Sequence, residues 1–137
     1  MPTVCSRHIM EGKPYVLLKG NKAEIKNLPK NPIKLTVKTN SKHSQRVTVK
    51  GEGIDYIFFG NGEAKVIGTE NITNAPSTIT ADFVSHSQAD GTARPSTLKS
   101  GGPYDIGNYN LFVIVAENGD DSDYNDAVFE MSWYTVS

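Results

Sequence analysis

The sequence predicts an all-β protein that folds as an antiparallel β-sandwich of about nine strands. Short segments in which apolar and polar residues alternate recur along the chain, and this period of two is typical of half-buried strands. Gly, Pro, Asn and Ser residues, which favour turns, separate these segments. Because no segment has a helical period, the crossovers that parallel strands need are missing, and antiparallel pairing is favoured.

The last predicted strand shows the pattern most clearly. Phe129, Met131 and Trp133 alternate with Glu130 and Ser132, so the three large apolar side chains are predicted to lie in the core. The same alternation predicts strands at Tyr15–Lys19, Ile33–Lys38, Gln45–Lys50, Ile54–Phe59, Thr78–Val84, Tyr109–Ala116 and Ala127–Val136.

One long segment has no clear alternation. Gln88–Asn108 contains "SGGPYDIGN", which is rich in residues that break regular structure. We therefore expect a loop there, with at most one short strand near Thr97.

Composition narrows the function. A chain of 137 residues is long enough for one domain with one core. Its 14 Lys and Arg residues against 15 Asp and Glu residues give a net charge of -1, which does not favour nucleic acid or an anionic membrane as partner. The single cysteine excludes an intrachain disulfide and a thiolate metal site made within one chain. We expect no membrane insertion, and synthesis in the cytoplasm without a signal peptide, with export by a non-classical route left open.

The most informative stretch is "ENGDDSDYND", Glu117 to Asp126, which holds five acidic residues and no Lys or Arg. Like charges held this close repel one another unless a cation neutralises them. Carboxylate and amide oxygens without nitrogen or sulfur ligands are typical of Ca²⁺, which takes about six to eight oxygens. A solvated acidic turn at the end of a strand is the alternative that charge alone leaves open.

An EF-hand does not explain this stretch. Asp121, Asp123 and Asn125 have the spacing of its first three ligands. However, Asp126 replaces the Gly of the sharp turn, and Ser132 replaces the final Glu. The stretch also leads into a strand, where an EF-hand would have a helix.

The stretch "ENGDDSDYNDAV" resembles the C-terminal motif of the two-calcium, fucose- and mannose-binding bacterial lectins of the LecB type, and the following "EMSWYTVS" supplies the Trp that those proteins have. The upstream "LPKNPIKLTVKTNSKHSQRVTV", "VIGT" and "RPS" are also similar to that family. The similarity spans about Leu28 to Val136. It implies a calcium-dependent lectin domain at residues 28–137. Residues 1–27 have no counterpart in the family, and we expect this extension to form strands and to pack on the domain.

The resemblance implies two calcium ions per chain and a ligand for them at each matching position. Asp123 and Asp126 are expected to bridge the ions. Two dications about 4 Å apart repel by roughly 16 kcal/mol at an effective dielectric of 20, which is consistent with several shared carboxylates. The family also donates its C-terminal carboxylate to the partner subunit's site, a role that Ser137 would take here. The implied metal ligands are Asn40, Glu117, Asp121, Asp123, Asn125, Asp126 and Ser137.

The resemblance also implies direct chelation of sugar hydroxyls by the two ions, with fucose or mannose-type residues as ligands. The family's specificity loop reads Ser41-Lys42-His43 here, and Lys42 and His43 depart from the small residues that the family has. Asn118 replaces an acidic residue of the family. The implied sugar-binding residues are Asn40, Ser41, Lys42, His43, Glu117, Asn118, Asp121, Asp123 and Asp126.

Two other functions remain as alternatives. A structural calcium-binding sandwich would hold the metal and bind no sugar. A glycosidase would need one carboxyl in a dry apolar site as its proton donor, whereas every acid here has acidic or amide neighbours. We therefore expect no enzymatic activity. The partners are expected to be fucose- or mannose-containing glycans and a second copy of the chain, as a homodimer or homotetramer.

Overall fold

The computed structural model of the chain describes residues 13–87, 90–117 and 126–135. Every regular element in these ranges is a strand, and all pairings are antiparallel, so the predicted all-β antiparallel fold is confirmed. The strands are β1 (Tyr15–Lys19), β2 (Lys22–Lys26), β3 (Ile33–Gly51), β4 (Ile54–Ile72), β5 (Thr78–His86), β6 (Ala93–Pro95), β7 (Thr97–Ile106), β8 (Tyr109–Glu117) and β9 (Ala127–Tyr134).

The strands form one hydrogen-bonded sheet that folds over into two layers, and β3 belongs to both. Its first half pairs with β9 from Lys34 to Thr39, and its second half pairs with β5 from Ser44 to Gly51. The first layer is ordered β1-β2-β5-β3, with β6 beside β5, and the second is ordered β3-β9-β8-β7. The long strand β4 pairs with β3 along both halves.

The core lies between the two layers. The rings of Phe83 on β5 and Phe129 on β9 meet edge to face, with centroids 5.9 Å apart, although their strands are not neighbours in the sheet. Met131 is fully buried and Trp133 is 6% exposed, so the predicted core face of the last strand is confirmed. Burial of such large apolar side chains is the main source of stability in a sandwich.

The passage of β3 between layers creates the irregularity on which the site is built. The register of β3 against β4 shifts between Thr39 and Ser41 and again between Ser41 and Gln45. Bulges of this kind bend a strand and change the direction of its side chains. The two strands predicted at Ile33–Lys38 and Gln45–Lys50 are therefore one bent strand, and the strand predicted at Ile54–Phe59 continues to Ile72.

The expectation of a loop at Gln88–Asn108 is wrong for most of that segment, because β6 and the ten-residue β7 lie within it. β7 pairs only with β8 at one end of the layer. Leu98 is its one buried residue. An edge strand with so little burial has no apolar alternation for a sequence pattern to detect.

The hairpin of β1 and β2 extends the first layer beyond β5. Ala23 and Ile25 of β2, a strand that the sequence analysis did not predict, are fully buried in the core. Residues 15–26 are thus part of the same sandwich, while the domain division after Asn27 stays a prediction. The described ranges contain no helix that could cross a membrane.

Candidate functional site

Three predicted ligands lie together at one end of the second layer. Across β3, β9 and β8, Thr39 pairs with Ala127 and Ala127 pairs with Ala116. One residue farther toward this end of the layer lie Asn40 after Thr39, Asp126 before Ala127 and Glu117 after Ala116. Main-chain hydrogen bonds continue the pairing, from Asn40 N to Asp126 O at 3.1 Å and from Asp126 N to Ala116 O at 3.0 Å. The fold therefore brings one amide and two carboxylates from distant parts of the sequence to one end of the sheet.

Both carboxylates at this end are buried. Glu117 and Asp126 are each 5% exposed. Ionised side chains are seldom buried unless a partner or a metal compensates the lost hydration. Two carboxylates and an amide oxygen form a donor set suited to a hard cation such as Ca²⁺. The residues present at this end therefore fit the predicted metal.

The Asn40 side chain is held in place by the neighbouring hairpin strand. Its Oδ1 accepts a hydrogen bond from the Ala64 main-chain N–H at 2.7 Å. Ala64 has a φ of 49°, a left-handed conformation that is uncommon for a residue with a Cβ. β4 thus supports the Asn40 side chain from the side opposite β9.

The predicted specificity loop, Ser41-Lys42-His43, lies at the bulge of β3. Ser41 is 7% exposed, and its Oγ accepts a hydrogen bond from the His43 main-chain N–H at 3.1 Å. The side chain of Gln45, 1% exposed, donates to the His43 carbonyl oxygen at 3.1 Å. The loop is therefore tied to the core at both ends, while Lys42 extends into solvent.

Five of the predicted site residues lie outside the described part of the chain: Asn118, Asp121, Asp123, Asn125 and Ser137. Within residues 13–87, 90–117 and 126–135, no three His, Cys, Asp or Glu side chains are close enough to hold a metal. The acidic stretch begins at Glu117 and ends at Asp126, and both of these residues lie at the same end of the layer as Asn40. The complete ligand set stays a prediction.

The sequence analysis missed the residues that support this site. Asn61 donates from its side-chain amide to the Lys42 carbonyl oxygen at 3.1 Å, and Thr39 donates from Oγ1 to the Gly62 carbonyl oxygen at 3.0 Å. The glycines of "FGNGE" indicated a turn, but the segment is a bulged part of β4 that lies against the loop. Only the pairing of β3 with β4 identifies these contacts.

The family model for the fucose-binding lectin II (PA-IIL) matches residues 26–135 of the chain. The match includes the β3 bulge, Glu117, the acidic stretch and Asp126. No curated protein matches the chain by sequence.

Solved lectin structures share the fold. Lectin CV2L of Chromobacterium violaceum, in complex with alpha-methyl-fucoside, aligns with a TM-score of 0.68 and 24% identity, covering 87% of this chain and 100% of that one. The high-affinity mannose-binding lectin of Ralstonia solanacearum aligns with a TM-score of 0.65 and 21% identity, covering 87% of this chain and 100% of that one. The C-terminal domain of BC2L-C lectin from Burkholderia cenocepacia aligns with a TM-score of 0.61 and 21% identity, covering 88% of this chain and 100% of that one. At these identities the similarity shows the fold alone.

Proposed function

The chain belongs to the fucose-binding lectin II (PA-IIL) family, and on that premise we propose that it binds terminal fucose or mannose-type residues of glycans through two calcium ions. Lectins bind sugars without chemical conversion, so the prediction that the chain is not an enzyme is confirmed. The observation that carries the proposal is the burial of Glu117 and Asp126 beside Asn40 at one end of the sandwich.

The proposed metal ligands come from two regions of the chain. Asn40, Glu117 and Asp126 supply one amide and two carboxylate groups on a hydrogen-bonded frame. The acidic stretch adds Asp121, Asp123 and Asn125, and Ser137 is proposed as a further oxygen ligand. When bound, the ions supply open coordination positions that neighbouring sugar hydroxyls fill in place of water.

The residues around the ions select the sugar. Carboxylates that bind the metal also accept hydrogen bonds from sugar hydroxyls, and these charge-assisted bonds are stronger than neutral ones. The Ser41 Oγ accepts the His43 main-chain N–H, which fixes the hydroxyl at the specificity loop, where we expect it to contact the sugar. Lys42 and His43 are larger than the residues of the family pattern, so they set this chain's own preference between fucose and mannose.

We also propose that two copies of the chain associate through the outer face of the second layer. β8 is apolar on both sides: Phe112, Ile114 and Ala116 face the core, while Leu111, Val113 and Val115 face outward. A strand that is apolar on both faces is normally covered on both. On β7 and β9, Tyr104, Ile106 and Tyr134 extend the apolar surface and are 57%, 71% and 66% exposed.

A second copy suits this face better than a different partner. The outward residues of β8 are flanked on β9 by Ser132 and by Glu130, which forms an ion pair with Lys38. An apolar row with a polar border can pack on an identical surface about a two-fold axis. Joining two sites in one particle also raises the avidity of individually weak sugar binding.

A glycan array probed with and without EDTA tests the proposed function. We expect binding to fucosides and mannosides in millimolar calcium, loss of binding in EDTA, and recovery when calcium is restored. A structural calcium module would bind no sugar under either condition. A glycosidase would release product from the same glycans, which mass spectrometry of the array eluate would detect. Either result would contradict the proposal.

A further inference from the structure

An exposed aromatic side chain lies on the outer face of the first layer, close to the specificity loop. Phe59 of β4 is 56% exposed. Only Gly60 separates it from Asn61, whose side chain donates to the Lys42 carbonyl oxygen at 3.1 Å. At a rise of about 3.3 Å per residue, Phe59 lies within about 10 Å of the loop that is proposed to select the sugar.

Two nitrogen-bearing side chains flank this ring. Arg46 of β3 is the cross-strand partner of Phe59 and is exposed. On the other side of β3, the His86 imidazole lies against the Phe59 ring, with centroids 5.8 Å apart and an angle of 59° between the planes. The three side chains form one group across β4, β3 and β5.

The His86 ring is oriented by the turn that follows β5. Its Nδ1 lies 3.4 Å from the Gly91 carbonyl oxygen, and the Gly91 N–H donates to the Ser87 carbonyl oxygen at 2.8 Å. The other ring nitrogen, Nε2, is covered and has no hydrogen-bond partner in the described part of the chain. A covered polar atom without a partner is unfavourable. Because Nδ1 donates to the Gly91 carbonyl oxygen, Nε2 would accept a hydrogen bond from a ligand hydroxyl that displaces the groups covering it beside the Phe59 ring.

Two side-chain hydrogen bonds connect this group to the specificity loop. Arg46 follows Gln45, which is 1% exposed and whose side chain donates to the His43 carbonyl oxygen at 3.1 Å. Asn61 makes the second connection, from β4 to Lys42. A ligand held at the specificity loop therefore has a fixed position relative to the Phe59 ring.

The chemistry of this group suits a pyranose. A sugar ring has one face lined by C–H groups, which packs on an aromatic ring. The hydroxyls at its edge accept hydrogen bonds from a guanidinium group and donate to the unprotonated nitrogen of an imidazole. Ligand sites typically combine an apolar contact surface with a few such polar groups. A single exposed Phe would need no explanation, but an exposed Phe between a guanidinium donor and an imidazole acceptor next to a sugar site does.

We propose that Phe59, Arg46 and His86 form a second sugar subsite, which binds the penultimate residue of a glycan whose terminal fucose or mannose lies at the calcium site. This inference rests on the proposed function. The calcium site would then recognise the terminal residue, and the subsite would distinguish the linkage and identity of the residue behind it.

The test compares Phe59→Ala with Ile57→Ala by titration calorimetry. Ile57 is a matched control, because it lies on the same outer face of β4, is 65% exposed and is two residues farther from the loop. Each variant is titrated in calcium with methyl fucoside, methyl mannoside and a panel of fucose- and mannose-terminated di- and trisaccharides. Thermal unfolding confirms that both variants fold.

We expect the wild-type protein to bind at least one oligosaccharide about tenfold more tightly than the methyl glycoside of its terminal residue. Phe59→Ala should lose this gain and keep its affinity for methyl glycosides within about twofold. Phe59→Tyr should retain the gain, because it keeps the ring, and Ile57→Ala should match the wild type in both measurements.

Two results would overturn the subsite. The wild-type protein could bind every oligosaccharide no better than a methyl glycoside, or Phe59→Ala could retain the gain. If methyl glycosides themselves do not bind in calcium, the proposed function fails, and the subsite fails with it. The methyl glycoside titration thus separates failure of the subsite from failure of the calcium site.

Discussion

The Asn40 N–H donates a hydrogen bond to the Asp126 carbonyl oxygen at 3.1 Å. This bond joins the bulge of β3 to the start of β9. It places an amide from the first third of the chain beside a carboxylate from the end of the acidic stretch, and the proposed metal site depends on that relationship.

Replacing Asn40 by Ala should weaken calcium binding by at least about tenfold, since even the outer-shell partners of metal ligands contribute about 10- to 100-fold. The change also removes the acceptor of the Ala64 N–H. Calorimetric titration with calcium measures the effect. Asn71→Ala, at an exposed position farther along β4, is the control and should bind calcium normally. Equal affinity in the two variants would exclude Asn40 as a ligand.

Replacing Asp123 by Ala should release both ions and abolish sugar binding, because the proposed bridging carboxylate would serve both metals. Metal content by mass spectrometry should fall from two calcium ions per chain to none. The matched control is Asp120→Ala, which removes one charge from the same stretch at a position that is not a predicted ligand. Sugar binding that survives in Asp123→Ala would contradict the bridging role.

Calcium should stabilise the fold, since Glu117 and Asp126 are both buried at the same end of the layer, and a cation bound there would favour the folded state. At calcium concentrations 100 times the dissociation constant, the free energy of unfolding should rise by about 2.7 kcal/mol. Glu117→Gln should melt at a higher temperature than the wild type in EDTA and at a lower temperature in calcium. Thermal unfolding in EDTA and in calcium measures these melting temperatures. A wild-type melting temperature that is the same under both conditions would contradict the predicted stabilisation.

Exchanging His43 for Gly should change the ratio of the methyl fucoside and methyl mannoside dissociation constants by about threefold or more, because one imidazole lost from a binding loop alters contacts worth about 1 kcal/mol. Calcium affinity should change by less than about twofold. Lys50→Ser, at an exposed position farther along β3, is the control. An unchanged ratio would show that the sugar does not reach His43.

Introducing a charge on the outer face of the second layer should separate the subunits. Val113→Lys places an ammonium group in the apolar surface between Leu111 and Val115, where burial against a second copy would be costly. Light scattering after gel filtration should give the mass of a dimer or tetramer for the wild type and of a monomer for the variant. Thr48→Lys, on the outer face of the first layer, should not change the mass. A monomeric wild type would contradict the proposed association.

Strands that are half buried were predictable from the sequence. Residues 78–84 alternate strongly, residues 15–19 and 109–116 are largely apolar, and all three segments lie in strands of the structure. Only a short strand near Thr97 was expected within the ten-residue β7, because Leu98 is its only buried residue. β2 was missed because Lys22–Lys26 is short and its inward residues include a small Ala.

The candidate site was predictable only in part. The density of carboxylates in the acidic stretch is typical of a cation site, but charge alone left a solvated turn as an alternative. The role of Asn40 came from the resemblance, since no local pattern distinguishes it from Asn31 or Asn61. The supporting contacts of Ala64 and Asn61 depend on the register of β3 against β4, which shifts twice at the bulge.

The sequence by itself determined the fold class, the position of most half-buried strands and the oxygen-rich character of the site, because these follow from residue type and periodicity along a single segment. Only the tertiary structure decided that Asn40, Glu117 and Asp126 share one end of a layer, and that Phe59 and His86 meet beside the specificity loop. Such neighbours are set by the pairing of strands distant in the chain. That pairing depends on burial across the whole core, which no local stretch of residues encodes.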